Sequence, residues 1–134
     1  MLLPPNHIAE IIAIAASTYN VPAPLLTAVA YVESRYNPKA ESSKGAKGLM
    51  QIMPVNYESL EISDPFDAKQ SANGAAMLLA KLKSRFGTWE SALAAYNWGS
   101  GNVKANPDFE NWPESTKRYV TMVLEESKKK TRKT

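Results

Sequence analysis

The stretch Pro24-Leu25-Leu26-Thr27-Ala28-Val29-Ala30-Tyr31-Val32-Glu33-Ser34-Arg35-Tyr36-Asn37-Pro38 reads as one helix with a displaced carboxylate near its end. Pro22 and Pro24 suit a first turn, where their missing N–H groups would have no intrahelical partner in any case. Leu25, Leu26, Val29 and Val32 recur at helical spacing, and the helix must stop near Tyr36 because Asn37 precedes a proline. Leu26, Ala30 and Glu33 stand at i, i+4 and i+7 and so form one stripe. Glu33 therefore extends an apolar face instead of the solvent face. It also sits in the last turn, where the helix dipole is negative and opposes a carboxylate. Burial and dipole both favour a raised pKa and a retained proton, the property a general acid for glycosidic cleavage needs. The plain alternative is a solvated glutamate at a frayed helix end, paired with Lys39.

Outward from this helix the pattern stays helical. Ile8, Ile11, Ile12 and Ala15 place a first helix over residues 5–18, broken by Asn20-Val21-Pro22. A third helix fits residues 72–86, with Ala75, Leu78, Leu79 and Leu82 on one side and Gly87 at its end. A fourth runs from Trp89 to about Asn97 and ends in Trp98-Gly99-Ser100-Gly101. A fifth begins near Pro113 and carries Tyr119, Val120 and Val123. Between Pro38 and Gln70 the chain is rich in turn formers, and Leu49-Met50-Gln51-Ile52-Met53 before Pro54 reads as a short strand of a small hairpin. The fold class is thus mainly α, with about five to seven helices in one domain over residues 1–127.

Composition removes several function classes. The chain of 134 residues has no cysteine, which excludes disulfides, Cys-based zinc sites and thiol nucleophiles. Its one histidine, His7, reads as a polar residue near a helix start, so no metal site is expected. The net charge of +3 resides in residues 128–134, which hold five of the 16 basic residues; without them 11 basic residues face 13 acidic ones. That segment reads as a basic, solvated tail, or as a tether to anionic wall polymer or lipid, and a nucleic-acid face within the fold is not expected. The longest apolar run, residues 11–16, is far short of the ~20 residues a membrane span requires. The first residues lack a cationic segment ahead of an apolar one, so a secretory signal is not expected either.

Four segments in order resemble the catalytic domain of the soluble lytic transglycosylases. They are Val32-Glu33-Ser34-Arg35-Tyr36-Asn37-Pro38 with the following Ser42; Gly45-Ala46-Lys47-Gly48-Leu49-Met50-Gln51-Ile52-Met53-Pro54; Ala94-Ala95-Tyr96-Asn97; and Thr116-Lys117-Arg118-Tyr119-Val120. The resemblance covers roughly residues 20–124. It implies a lysozyme-like α+β fold, related to goose-type lysozymes, with a small hairpin flanking a substrate groove. It also implies cleavage of the β-1,4 bond between N-acetylmuramic acid and N-acetylglucosamine in peptidoglycan strands, leaving a 1,6-anhydro end. Glu33 takes the family's catalytic position and Tyr119 that of the tyrosine that orients it. Ser42 corresponds to a serine near the N-acetyl group, Gln51 and Met53 to groove-lining residues, and Tyr96 and Asn97 to the contact with muramic acid. Trp98 is a departure, replacing a small residue, and either stacks on a sugar face or caps the core. No cofactor is implied, and a monomer is expected.

The absence of an obvious second carboxylate agrees with this resemblance. Glycosidases ordinarily need two, whereas Glu58, Glu61, Asp64 and Asp67 lie in a turn-rich region without a motif. Other departures are Ser71 and Ala75, where the family has asparagine and glycine, Ser115-Thr116-Lys117 for Glu-Thr-Arg, and Ser100 for proline. Two other readings stay open: a hydrolytic muramidase of the same fold, and a non-catalytic wall-binding or virion structural module. The expected place of action is the bacterial wall, reached either as a phage lysis or entry enzyme or as part of a larger secreted protein.

Overall fold

Pro5 and Asn20 bracket the first helix, α1 (Asn6–Tyr19), in the computed structural model, which describes residues 2–129. Asn20 ends α1 in the left-handed region at φ 57°, which an asparagine tolerates better than most side chains. His7 lies exposed in the first turn of α1. Helix α2 (Ala23–Ser34) follows, with Pro22 as its N-cap and Pro24 in its first turn. It ends two residues before Tyr36, because Arg35 and Tyr36 both turn left-handed, at φ 53° and 67°. The Ser34 hydroxyl fixes that exit, accepting from the Asn37 amide at 3.1 Å and donating to the Leu49 carbonyl at 2.7 Å.

The remaining helices are α3 (Ala68–Phe86), α4 (Trp89–Trp98), α5 (Ser100–Ala105) and α6 (Glu114–Lys128). Helix α3 begins four residues earlier than its apolar stripe implies, since the Asp67 carboxylate accepts from the Lys69 amide and caps it. Thr88 caps α4 in the same way, and Gly99, at φ 107°, separates α4 from the short α5. Helix α5 lies in a Gly-Ser-Gly stretch whose sequence reads as turn. The basic segment expected over residues 128–134 begins as the last residue of α6, with Lys129 paired to Glu126 at 3.1 Å; the rest of it lies outside the described residues.

The core is one cluster that α1, α2, α3, α4 and α6 all enter. It contains Ile8, Ile12, Leu26, Val29, Leu49, Met50, Leu79, Leu93, Val120 and Val123, each essentially inaccessible to solvent. Helix α4 packs on α3, α5 and α6, while α2 packs on α6 and α1 on α3. Among the described residues no helix is long and apolar enough to cross a membrane.

The hairpin expected around residues 49–53 is reduced to two isolated antiparallel bridges, Glu41 with Lys47 and Lys47 with Ile52. Gly48 and Gln51 adopt φ 87° and 54°, which interrupt any extended run. Side chains from distant helices then take the groups a neighbouring strand would have paired. The Ser71 hydroxyl oxygen on α3 accepts from the Met50 amide at 3.1 Å, and the Tyr96 hydroxyl on α4 donates to the Met50 carbonyl at 2.8 Å.

Candidate active site

Glu33 occupies the penultimate position of α2, above the buried Leu26 and Ala30 of the same stripe. The residue keeps part of its surface accessible, yet its carboxyl is deep enough that burial raises its pKa from 4.5 to about 7. The Tyr119 hydroxyl opposes that rise by hydrogen bonding to the carboxylate form. No cation contributes, so the alternative pairing with Lys39 is not what governs this group. Tyr119 is buried on α6, and its hydroxyl has no other partner among the described residues. The contact with Glu33 falls short of full hydrogen-bond geometry, which leaves the phenol free to tighten on a carboxylate as it forms.

Tyr96 is the second phenol of this region. Burial, then the charge of Glu33, push its pKa well above the ordinary value, and the same two causes act first on Tyr119. Both therefore remain neutral hydroxyls at neutral pH. The site thus pairs one carboxyl that titrates near neutrality with two phenols that do not. Such a carboxyl can give up a proton and take one back with little free-energy change at either step.

The loop over residues 45–53 is set beside Glu33 by bonds to four elements. Ser34 reaches Leu49, Ser71 and Tyr96 clamp the Met50 peptide, and Tyr57 donates to the Ile52 carbonyl at 3.1 Å. Gly48 is a required glycine: at φ 87°, a Cβ there would sit 2.0 Å from the Pro65 carbonyl oxygen. Gln51 spends both N–H groups of its amide on backbone carbonyls, of Gly48 within the loop at 3.0 Å and of Ala40 before it at 3.1 Å. Only its side-chain oxygen is left for a ligand. Ser42 accepts from the Ala46 amide at 3.0 Å and closes the turn before this loop.

A cleft of about 400 Å³ opens next to these groups, between the 3-10 turn at Pro54–Asn56, the second half of α3 and the end of α4. Met53, Tyr96, Asn97 and Trp98 line it, together with Val55 and Ser100. Met53 and Val55 present apolar surface to solvent at its rim, 40% and 86% exposed. Asn97 is exposed in the cleft, and its side-chain oxygen accepts from the buried Thr116 hydroxyl on α6 at 3.0 Å. Glu33 does not line this cleft; Tyr96, which does, connects the two through its interaction with the carboxyl.

The Transglycosylase SLT domain model matches residues 10–118, most of the chain. This chain belongs to that family. The SLT domain is 36% identical over 115 residues to the transglycosylase of Enterobacteria phage PRD1, covering 86% of the chain and 41% of that protein. It is 40% identical over 87 residues to a membrane-bound lytic murein transglycosylase F of Desulfosudis oleivorans, covering 60% of the chain and 19% of that protein. In structure it resembles the 70-kDa soluble lytic transglycosylase of Escherichia coli, with TM-score 0.76 and 30% identity over 88% of the chain and 23% of that protein. The SLT domain therefore spans about two fifths or less of the length of each of these relatives.

Within the SLT domain the structure brings Glu33, Tyr96 and Tyr119 into one electrostatic unit and Met53, Tyr96, Asn97 and Trp98 into one cleft. Ser42 and Gln51 instead carry hydrogen bonds within the loop region. Ser34 and Thr116 stand within the quoted motifs and Ser71 among the departures, but the sequence assigns none of them the role of fixing these groups from behind. Among the described residues Ser71 and Thr116 are the two buried polar ones, and each bonds to the site region. A hydroxyl in an otherwise apolar helix face is the signal that could have found them. Asp64 and Asp67 are engaged in turn and cap bonds, and Glu58 and Glu61 are exposed. Among the described residues no cluster of His, Asp or Glu could hold a metal ion.

Proposed function

We propose that this domain is the catalytic unit of a peptidoglycan lytic transglycosylase, with Glu33 as its single acid and base. The observation that carries the reading is the Glu33 carboxyl titrating at about 7, between two neutral phenols and with no carboxylate among the groups acting on it. The protonated carboxyl donates to the glycosidic oxygen as the bond to C1 of N-acetylmuramic acid breaks. The neighbouring N-acetyl group stabilises the positive charge at C1. The resulting Glu33 carboxylate then takes the proton of the 6-hydroxyl as the C1–O6 bond forms. The carboxylic acid is regenerated, no water is consumed, and a 1,6-anhydro end results. One carboxyl suffices because the 6-hydroxyl is already part of the substrate and acts at high effective concentration.

Tyr119 orients Glu33 and stabilises its charged form midway. Met53 and Trp98 offer apolar faces to sugar rings, as aromatic and thioether side chains do well. Tyr96 and Asn97 contact the muramic acid unit. Ser42 stands near the N-acetyl group, and Gln51 offers its side-chain oxygen. The glycan strand is the one partner required, and a monomer would suffice. Names of relatives support the substrate and place of action: lytic murein transglycosylases, and a phage transglycosylase that favours a phage or wall-degrading context. Residues 1–127 would form the catalytic domain, with residues 128–134 as a basic tail in the sequence.

Clearing of a suspension of purified peptidoglycan tests the reading. The wild-type domain should clear it, and the Glu33→Gln variant should be slower by at least about a thousandfold. Equal clearing by both would remove Glu33 from the chemistry.

A further inference from the structure

Among the described residues Thr116 is one of two buried polar residues, 1% exposed, and its hydroxyl reaches across from α6 to the Asn97 side-chain oxygen on α4. Asn97 lies 19 residues away in sequence and is itself exposed in the cleft. A threonine placed only to fill the α4–α6 contact could be a valine, which has the same shape and no hydroxyl to desolvate. The hydroxyl is directed instead at a side chain that packs little and lines the cleft.

An asparagine amide has one oxygen that accepts and one nitrogen that donates twice. With the oxygen engaged by Thr116, the amide plane is fixed and the nitrogen is the end left for the cleft. The oxygen keeps one lone pair beyond the Thr116 bond, while both N–H groups of the nitrogen stay unspent, so the residue acts towards the cleft mainly as a donor. Resting on the transglycosylase reading, we propose that Thr116 is a positioning residue: it locks Asn97 so that the cleft presents two N–H groups to an acceptor oxygen of the glycan. Acceptor oxygens in such a strand are the acetamido carbonyl and the lactyl carboxylate or carbonyl. A free hydroxyl, which can accept or donate, would not require a locked amide. Asn97 touches the substrate; Thr116 acts only through it.

Two arms test this, and the first needs no turnover. In the amide nitrogen spectrum, the Asn97 side-chain signals should be dispersed in the wild type and in Thr116→Ser. They should collapse towards free-amide positions in Thr116→Val. Unmoved Asn97 signals in Thr116→Val would overturn the inference. The second arm is a double-mutant cycle on kcat/KM with peptidoglycan. Thr116→Val should lower it about tenfold, through KM more than kcat, and Thr116→Ser should restore most of it. Added to Asn97→Ala, the Thr116→Val change should have almost no further effect. Independent, multiplying losses would mean that Thr116 does not act through Asn97. A wild-type domain inactive on every glycan would sink the transglycosylase reading and the substrate half of this inference, while the spectral arm still decides the orientation of Asn97.

Discussion

Replacing Glu33 by Gln should remove catalysis and make the fold more stable, by an amount that depends on pH. In the unfolded chain this carboxyl titrates near its ordinary 4.5, and in the fold at about 7. Below pH 4.5 it is protonated in both states, and its contribution to stability is fully present. As pH rises from 4.5 towards 7, the unfolded chain releases the proton while the folded one retains it, so stability falls. Above about 7 the loss is complete. The gap is about 2.5 pH units; at 1.36 kcal/mol for each, the loss reaches up to about 3 kcal/mol, less what the partial exposure of Glu33 screens. Glutamine has nearly the same shape and cannot ionise. The variant should therefore match the wild type at pH 4 and exceed it by up to about 3 kcal/mol at pH 8.5, or roughly 10 °C in midpoint for a chain of this size. Urea unfolding followed by circular dichroism at four pH values between 4 and 8.5 measures it. Parallel stability profiles for the two proteins would refute the claim that Glu33 is desolvated at a cost to the fold. A function-linked destabilisation of this kind is a common compromise between activity and stability.

Two other substitutions probe the same architecture. Tyr119→Phe removes the hydroxyl that lowers the Glu33 pKa, so the alkaline limb of the rate profile should move to higher pH while kcat falls about tenfold or more; an unmoved limb would mean the phenol does not touch the titration. Gly48→Ala would drive a methyl into the Pro65 carbonyl at a left-handed backbone position, and a urea titration should show a loss of about 2–4 kcal/mol, with a loss under about 0.5 kcal/mol contradicting the tight approach.

The helices were legible because their signals are local. Proline before α2, glycine after α3 and the i, i+4, i+7 stripe ending in Glu33 all act within a few residues of where they stand. The same stripe made Glu33 legible as a carboxyl at the end of a buried face. The region between α2 and α3 was not legible from its own residues. Its apolar run 49–53 looks like a strand, but the Met50 amide and carbonyl are satisfied by Ser71 and Tyr96, 21 and 46 residues away. No local propensity reports such bonds. The start of α3 was missed because Asp67 caps the helix before its apolar periodicity begins, and α5 because its glycines favour turns in isolation. In the site, residue types were readable from the sequence, but not which of their atoms remain available. Gln51 was expected to hold sugar, yet its amide nitrogen is committed to two backbone carbonyls. Asn97 was expected at the substrate, yet the partner that decides which end of its amide faces the cleft lies on α6.

One carboxyl performing both proton transfers leaves no water in the product. Mass spectrometry of the soluble fragments released from purified peptidoglycan, by the wild-type domain and by Glu33→Gln in parallel, tests it most directly. Wild-type fragments should carry anhydro ends, about 18 Da lighter than hydrolytic ones by the loss of one water, and the variant should release none. Fragments with reducing ends, or anhydro fragments released equally by Glu33→Gln, would contradict it.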